Sequence, residues 1–191
     1  VIAHPINVPT SEAVAAASRD IDALFVGCAS EIKRVDILIA AAHAAKLSLV
    51  VVGSGPKTPE WARYAETLGA AVAFPGPMFG HELSHMYLRA KRYISASVTD
   101  SWAVPIGEAL AHGCAVAHFD NPNIREAWDG GVSCWWQTKD ELIDWLRVPV
   151  TENPADHRQF VLDHGYDAAS VGRALDAICQ RACANHRKRT G

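Results

Sequence analysis

The sequence lacks an excess of basic residues, a long apolar run and a secretory leader. It has 18 Lys and Arg against 21 Asp and Glu, and the net charge of −3 gives no electrostatic footprint for nucleic acid. No apolar stretch approaches the roughly 18 to 20 residues that cross a membrane, and we expect no cleaved leader. These absences argue against nucleic-acid and membrane partners and favour a cytoplasmic protein.

The five cysteines are an odd number and do not follow the spacing of a secreted disulfide framework, which favours a reducing compartment. Cys179, Cys183 and His186 recur at intervals of four and three residues and could share one helix face. Because three such ligands with no carboxylate leave a zinc site incomplete, we predict small buried thiols on a core-facing helix there, and no metal.

Strand-like apolar runs alternate with helix-period segments, and this alternation predicts consecutive βα units. The predicted strands are residues 23–27, 47–52, 70–74, 93–96, 114–119 and 132–136. The predicted helices are residues 33–46, 59–68, 105–112, 123–128 and 139–146, one through residues 80–90, and a purely helical tail over 155–187. Strands apolar on both faces belong in a covered parallel sheet. We therefore predict one domain over residues 1–191, a doubly wound, Rossmann-like α/β fold of about six strands with helices on both faces.

The segment GHELSHMYLRA, residues 80–90, contains the zinc-peptidase signature H-E-x-x-H. A peptidase would use His81 and His85 as ligands and Glu82 as base, with Glu108 at a plausible separation for a third ligand. With nine His and nine Glu in the chain, such a motif arises by chance in about 2% of sequences, and here it lies among βα units. A zinc metallopeptidase is therefore a remote alternative, and we expect both histidines on the solvent side of a helix that buries Leu83, Met86, Tyr87 and Ala90.

Five segments follow one another in a specific order: VIAHPINVP, FVGCASEIKRVDILIAAA, LVVVGSGP, VAFPGPMFGHELSHMYLRAKRYISAS and DSWAVPIGEALAHGCAVAHFDNPNIRE. The last is similar to E-x-F-G-x-x-x-x-E-A-x-A-x-G-x-P-V-x-x-x-D-x-x-x-x-x-E, with Glu108, Gly113, Asp120 and Glu126 on matching positions. In these segments, from residue 1 to about residue 181, the chain resembles the C-terminal, donor-binding domain of GT-B glycosyltransferases of the retaining family-four type. The histidines of the zinc motif are incidental to that resemblance.

The resemblance implies a hexosyltransferase that binds a nucleotide-activated sugar, retains the anomeric configuration, and needs neither metal nor cofactor. GT-B enzymes hold the acceptor site, and usually part of the catalytic apparatus, in an N-terminal domain that has no counterpart here. The acceptor domain would then belong to the same polypeptide or to a partner chain. The isolated chain is expected to bind the donor without transferring sugar.

The resemblance also assigns site residues. Asp100 and Glu108 take the two carboxylate positions of the block as the catalytic pair, Asp100 toward sugar hydroxyls and Glu108 toward the ribose diol, which its two acceptor oxygens suit. Lys33, just after the first strand, would offset phosphate charge. The other predicted substrate contacts are Arg34, Phe74, Gly76, Met78, Ser101, Trp102, Ala103 and Val104, the last four at a helix start whose N–H groups can meet a diphosphate.

Two of these assignments have a simpler explanation. Lys33 could be a solvated lysine at a helix start, and Glu108 a first-turn glutamate favoured by the helix dipole. Gly53 and Gly55 are predicted to be turn residues near the cleft, not a phosphate cradle. Six positions also depart from the family pattern: Cys28 for Arg, Arg34 for Gly, Trp102-Ala103 for Phe-Gly and Pro122-Asn123 for Gly-Gly. A divergent donor preference and a loss of catalysis would each explain these changes. The departures at Cys28 and Ala103 favour the alternative of a non-catalytic module that binds a nucleotide sugar or another protein on the same fold, and the intact Lys33, Asp100 and Glu108 oppose it.

Overall fold

The structure is a computed structural model that describes residues 4–100 and 102–190, with side chains as far as Arg181. Six strands form one parallel sheet: β1 Ile21–Val26, β2 Leu49–Val52, β3 Val72–Gly76, β4 Ala90–Ser95, β5 Ala115–Phe119 and β6 Cys134–Trp136. Their order across the sheet is β3-β2-β1-β4-β5-β6. Each predicted strand is present, with its ends displaced by at most three residues, so the predicted doubly wound α/β fold is confirmed.

Helices cover both faces of the sheet. They are α1 Ser11–Ala15, α2 Val35–Ala45, α3 Thr58–Leu68, α4 Gly80–Arg89, α5 Val104–Ala111, α6 Pro122–Trp128, α7 Lys139–Arg147, α8 Pro154–Asp163 and α9 Ala168–Thr190. One core lies between the sheet and α2, α3 and α7. The other lies under α4, α5, α6 and α8. In the described part of the chain, no helix is long and apolar enough to cross a membrane.

Three details differ from the sequence predictions. Helix α1 was not predicted, although its N-cap Thr10 accepts a hydrogen bond from the Ala13 N–H. The tail is not purely helical, because Gly165 adopts a left-handed φ of 66° and separates α8 from α9. Cys179 is exposed, so the prediction of buried thiols is wrong at that position. Cys183 and His186 lie outside the residues whose side chains are described.

At the amino edge of the sheet, two arginines bind the ends of three helices. Arg19 donates to the carbonyls of Ala90 and His112, just after α4 and α5, and Arg92 donates to the carbonyl of Val148, just after α7. Helix C-termini carry partial negative charge and unpaired carbonyls. The two guanidinium groups pair with these three carbonyls and offset part of that charge within the chain.

At the opposite, carboxyl edge, the loops after β1 and β2 touch along their backbones. The Gly27 N–H donates to the Val52 carbonyl at 3.0 Å, and the Ala29 N–H donates to the Ser54 carbonyl at 3.0 Å. Gly53 has φ 124°, and a Cβ there would lie 1.9 Å from the Gly27 oxygen. Gly53 is thus a turn residue, as predicted, and the close approach of the two loops is what requires glycine there.

We predict that Gly53→Ala costs more than about 4 kcal/mol of unfolding free energy, because the new methyl group overlaps backbone that cannot move aside. The control is Gly69→Ala, where φ is 65° but nothing lies within 4 Å of the added Cβ. It should cost only about 1–2 kcal/mol, the strain of the left-handed conformation. Urea unfolding measures both, and equal losses would show that the loop contact does not constrain the fold.

Candidate functional site

The candidate site is the crevice between the loops that follow β1 and β4. These neighbouring strands lead to helices on opposite faces, α2 on one and α5 on the other. In open α/β sheets, ligands bind at the carboxyl ends of the strands where the strand order reverses in this way. The two loops, residues 27–34 and 96–103, contain most of the residues predicted to bind substrate.

Lys33 and Asp100 form an ion pair across the crevice. The Lys33 Nζ lies 2.7 Å from Oδ1 and 3.0 Å from Oδ2 of Asp100, and 3.3 Å from the Ser97 hydroxyl. The two side chains are 18% and 21% exposed, so the pair is partly shielded from water but reachable. The structure therefore brings two predicted site residues together. An anion that approaches Lys33 competes with the Asp100 carboxylate for the lysine ammonium group.

Arg34 binds the first residue of the loop that follows β4. It has a left-handed φ of 44°, which delays the start of α2 to Val35, two residues later than predicted. Its Nε donates to the Ala96 carbonyl at 2.8 Å, and its guanidinium lies 4.1 Å from the centre of the Phe119 ring. Burial lowers its pKa. These contacts direct Arg34 to the base of the loop, and its buried Nη2 has no hydrogen-bond partner among the described residues.

Glu108 projects from α5 toward α4. Its Oε2 accepts a hydrogen bond of 2.9 Å from the hydroxyl of Tyr87, a core residue of α4 that is 1% exposed. Burial raises the pKa of Glu108 above its ordinary value, and the hydrogen bond from Tyr87 lowers it in part. A partly buried carboxylate held by one neutral donor can still accept further hydrogen bonds from a ligand.

The loop entering α5 is built around an aromatic cluster. Trp102 packs on Trp128 and Tyr166, each with ring centres 5.2 Å away, and its carbonyl accepts from the Trp128 indole at 2.6 Å. Ala103, the N-cap of α5, has a left-handed φ of 51°, a conformation that glycine adopts without strain. Val104 begins α5, and Ser101 lies outside the described residues.

Three of the predicted substrate contacts, Phe74, Gly76 and Met78, lie two strands away from the crevice, in and just after the edge strand β3. Phe74 packs against the core under α2 and α3, whereas Met78 packs against the core on the other face. Gly76 has φ 90°, and its carbonyl accepts from the Gly53 N–H at 2.9 Å. These three residues form the outer wall of the carboxyl edge and touch neither Lys33 nor Asp100 through a hydrogen bond.

Several buried polar residues near the crevice were not found from the sequence. Ser97 and His118 are buried beside the ion pair, and His112 is 3% exposed behind Glu108. Burial lowers the pKa of His118 to about 4, so its ring is neutral at pH 7. The strand pattern gave no signal for Ser97 or His118, because a polar residue at the end of an apolar strand is identified only once its neighbours are known.

The residues of the zinc motif and Glu108 lie on different sides of α4. His81, Glu82 and His85 are exposed on α4, whereas Glu108 is turned toward Tyr87 on the inner side of that helix. Residues 4–100 and 102–181 contain no group of three or more His, Cys, Asp or Glu side chains arranged to hold a metal ion. As predicted, α4 buries Met86 and Tyr87.

Comparisons with known proteins agree with this geometry. The family model described as "Glycosyl transferases group 1" matches residues 20–146. No curated protein matches the chain. Among solved structures, the pneumococcal O-GlcNAc transferase GtfA in complex with UDP and GlcNAc superposes with a TM-score of 0.73 at 15% identity, over 93% of this chain and 38% of that one.

Two further solved structures are similar. The lipopolysaccharide outer core galactosyltransferase WaaB has a TM-score of 0.75 at 16% identity, over 95% of this chain and 55% of that one. AviGT4, a glycosyltransferase involved in avilamycin A biosynthesis, has a TM-score of 0.69 at 22% identity, over 92% of this chain and 55% of that one. The chain thus spans between 38% and 55% of the length of these structures, and the likeness at such identities concerns the fold.

We predict that Glu108→Gln raises the free energy of unfolding at pH 7. The pKa of Glu108 is raised in the folded state, so its stability contribution is complete at low pH and is lost as the pH rises through the folded pKa. Glutamine keeps an acceptor for Tyr87 without the buried charge. Urea unfolding at pH 7 and pH 4 should therefore show a stabilisation that shrinks on acidification.

The control is Glu66→Gln, at an exposed position of α3, which should leave the unfolding free energy unchanged at both pH values. A Glu108→Gln variant that is less stable than the original at pH 7 would contradict the assignment of Glu108 as a carboxylate ionised at the expense of stability.

Proposed function

The chain belongs to the group 1 glycosyl transferases, and on that premise we propose that it is the donor-binding half of a retaining, metal-independent hexosyltransferase that uses a nucleotide-activated sugar. The observation that carries this proposal is the crevice at the reversal of strand order, where Lys33 and Asp100 meet and Glu108 stands nearby on α5. Cation, carboxylate and helix N-terminus are the groups that a sugar diphosphate requires.

Each group has a distinct chemical part in this proposal. Lys33 binds the diphosphate and offsets the negative charge that grows on it as the bond to the sugar breaks. Asp100 accepts hydrogen bonds from sugar hydroxyls, and Glu108 accepts them from the ribose diol. The ion pair of Lys33 with Asp100 keeps both groups ordered, and the donor's phosphate then shares the lysine with the carboxylate.

The acceptor side of the reaction requires more protein than this chain provides. Since the chain spans about half or less of the solved structures it resembles, we propose that an acceptor domain comes from the same polypeptide or from a partner chain. The chain alone should then bind a nucleoside diphosphate but transfer no sugar, because half of the cleft is missing.

A non-catalytic module is the second candidate, and two observations favour it. Cys28 is exposed at the end of β1, where the resemblance implies an arginine for the diphosphate. Ala103 holds a left-handed conformation in place of a glycine. A domain that has lost catalysis would tolerate both changes. Such a domain would not need to keep the catalytic set of Lys33, Asp100 and Glu108, and their presence opposes this second candidate.

We predict that Lys33→Ala weakens binding of UDP by about 1.5–3 kcal/mol, the usual range for a hydrogen bond to a charged group, and leaves binding of uridine unchanged. Asp100→Asn should tighten UDP by up to roughly tenfold, since the lysine no longer shares its charge with a carboxylate. UDP is the first probe because GtfA, which shares this fold, was solved in complex with UDP. Isothermal titration calorimetry of each variant with UDP and with uridine measures these affinities.

Lys57→Ala is the matched control. Lys57 also lies at the carboxyl edge, but its Nζ is 3.0 Å from Glu31 and 2.8 Å from Glu60, so its removal should not change UDP binding. If Lys33→Ala weakened UDP and uridine equally, or if neither UDP nor ADP, GDP, CDP or dTDP bound at all, the non-catalytic module would be the better explanation.

A further inference from the structure

The inner side of α4 holds the carboxylate of Glu108 in place. Tyr87 donates its hydroxyl hydrogen to Oε2 of Glu108 at 2.9 Å, since an ionised carboxylate can only accept. Burial raises the pKa of Tyr87 well above its ordinary value, so the hydroxyl remains a donor at every physiological pH. The hydrogen bond occupies one of about four lone-pair positions of the carboxylate, and Oε1 stays available to a ligand.

His112 and Ser84 in turn hold the ring of Tyr87. His112 stacks on that ring with centres 5.3 Å apart and an interplanar angle of 30°. Its Nδ1 lies 2.6 Å from the carbonyl of Glu108 and its Nε2 lies 2.7 Å from the Ser84 hydroxyl. A carbonyl only accepts, so Nδ1 donates, and in the neutral ring Nε2 accepts from the Ser84 hydroxyl. Burial, which lowers the pKa of His112, favours the same neutral form.

Two residues of α4 and two residues at the end of α5 connect these helices. Ser84 and Tyr87 are three residues apart on α4, and Glu108 and His112 are four residues apart at the end of α5. Residues at these spacings share one helix face. The hydroxyl groups of Ser84 and Tyr87 therefore bind residues at two successive points along α5, and neither can move without breaking a partly buried hydrogen bond.

We propose that Tyr87 is the positioning residue of Glu108, with its ring fixed by His112 and Ser84, so that the carboxylate faces the ribose diol before the nucleotide arrives. This inference rests on the proposed role of Glu108 toward ribose. A carboxylate oriented in advance loses less side-chain entropy when the ligand binds. The expected consequence is a preference for nucleotides that carry both the 2′ and the 3′ hydroxyl.

The same contact favours the ionised form of Glu108. Burial raises the pKa of Glu108, and the hydrogen bond from Tyr87 acts in the opposite direction. The titratable groups around Glu108 are Tyr87 from α4, Tyr93 from β4, whose pKa is itself raised by burial and by Asp100 and Glu108, and His112 from the end of its own helix. Removal of the Tyr87 hydroxyl should therefore move the titration of Glu108 to higher pH.

The first test needs no ligand. NMR titration of the ¹³C-labelled glutamate carboxyl groups, with Glu108 assigned from the Glu108→Gln spectrum, should give a higher midpoint for Glu108 in Tyr87→Phe than in the original protein. Ser84→Ala removes only the hydrogen bond between Ser84 and His112, which holds the Tyr87 ring indirectly. It should shift the Glu108 midpoint less, in the same direction. Tyr166→Phe is the control, since it removes a tyrosine hydroxyl that donates to the Ala127 carbonyl at 3.0 Å and makes no hydrogen bond to Glu108, and it should leave the midpoint unchanged. An unchanged midpoint in Tyr87→Phe would overturn the inference.

The second test compares UDP with 2′,3′-dideoxy-UDP by calorimetry. Tyr87→Phe should weaken UDP by about tenfold, the worth of one charge-assisted hydrogen bond, and leave the dideoxy analogue unchanged; the loss should grow as the pH falls. Equal weakening of both ligands would show that Tyr87 is merely structural. If the original protein bound UDP no more tightly than 2′,3′-dideoxy-UDP, the proposed role of Glu108 would be overturned, and this inference with it.

Discussion

Parallel pairing of β1 with β4 is the contact on which the rest of the structure depends. It joins Ala23 to Arg92 and Leu24 to Tyr93 in register, although β2 and β3 intervene in the sequence. Because the chain leaves β1 toward one face and β4 toward the other, a crevice must open above this pair. Lys33 and Asp100, 67 residues apart in sequence, meet there because the strands beneath them do.

The two edges of the sheet have opposite electrostatic character for one geometric reason. Helices of βα units run antiparallel to the strands, so their C-termini gather at the amino edge and their N-termini at the carboxyl edge. The guanidinium groups of Arg19 and Arg92 pair with three of the carbonyls at the amino edge. In the proposed function, the helix N-termini at the carboxyl edge meet the donor's diphosphate together with Lys33. The difference between the two edges thus follows from one topology.

The crevice keeps features that lower stability. Glu108 is an acid whose burial raises its pKa, and Ala103 holds a left-handed backbone conformation that costs of order 1 kcal/mol for a residue with a Cβ. The buried ring of His118 has a nitrogen with no partner within the described residues. Costs of this kind concentrate at functional sites. Here they surround the Lys33–Asp100 pair and are offset by two continuous apolar cores.

The sequence by itself determined the six strands and the parallel sheet, because apolar runs and 3.6-residue periodicity are local signals. The family pattern pointed to Lys33, Asp100 and Glu108, yet it could not say that the first two bind each other or that Tyr87 holds the third. Those contacts join residues from different βα units, and no local pattern encodes them. Only the strand order and the packing of α4 on α5 decided which side chains meet, since a hydrogen bond depends on positions in space and not on spacing along the chain.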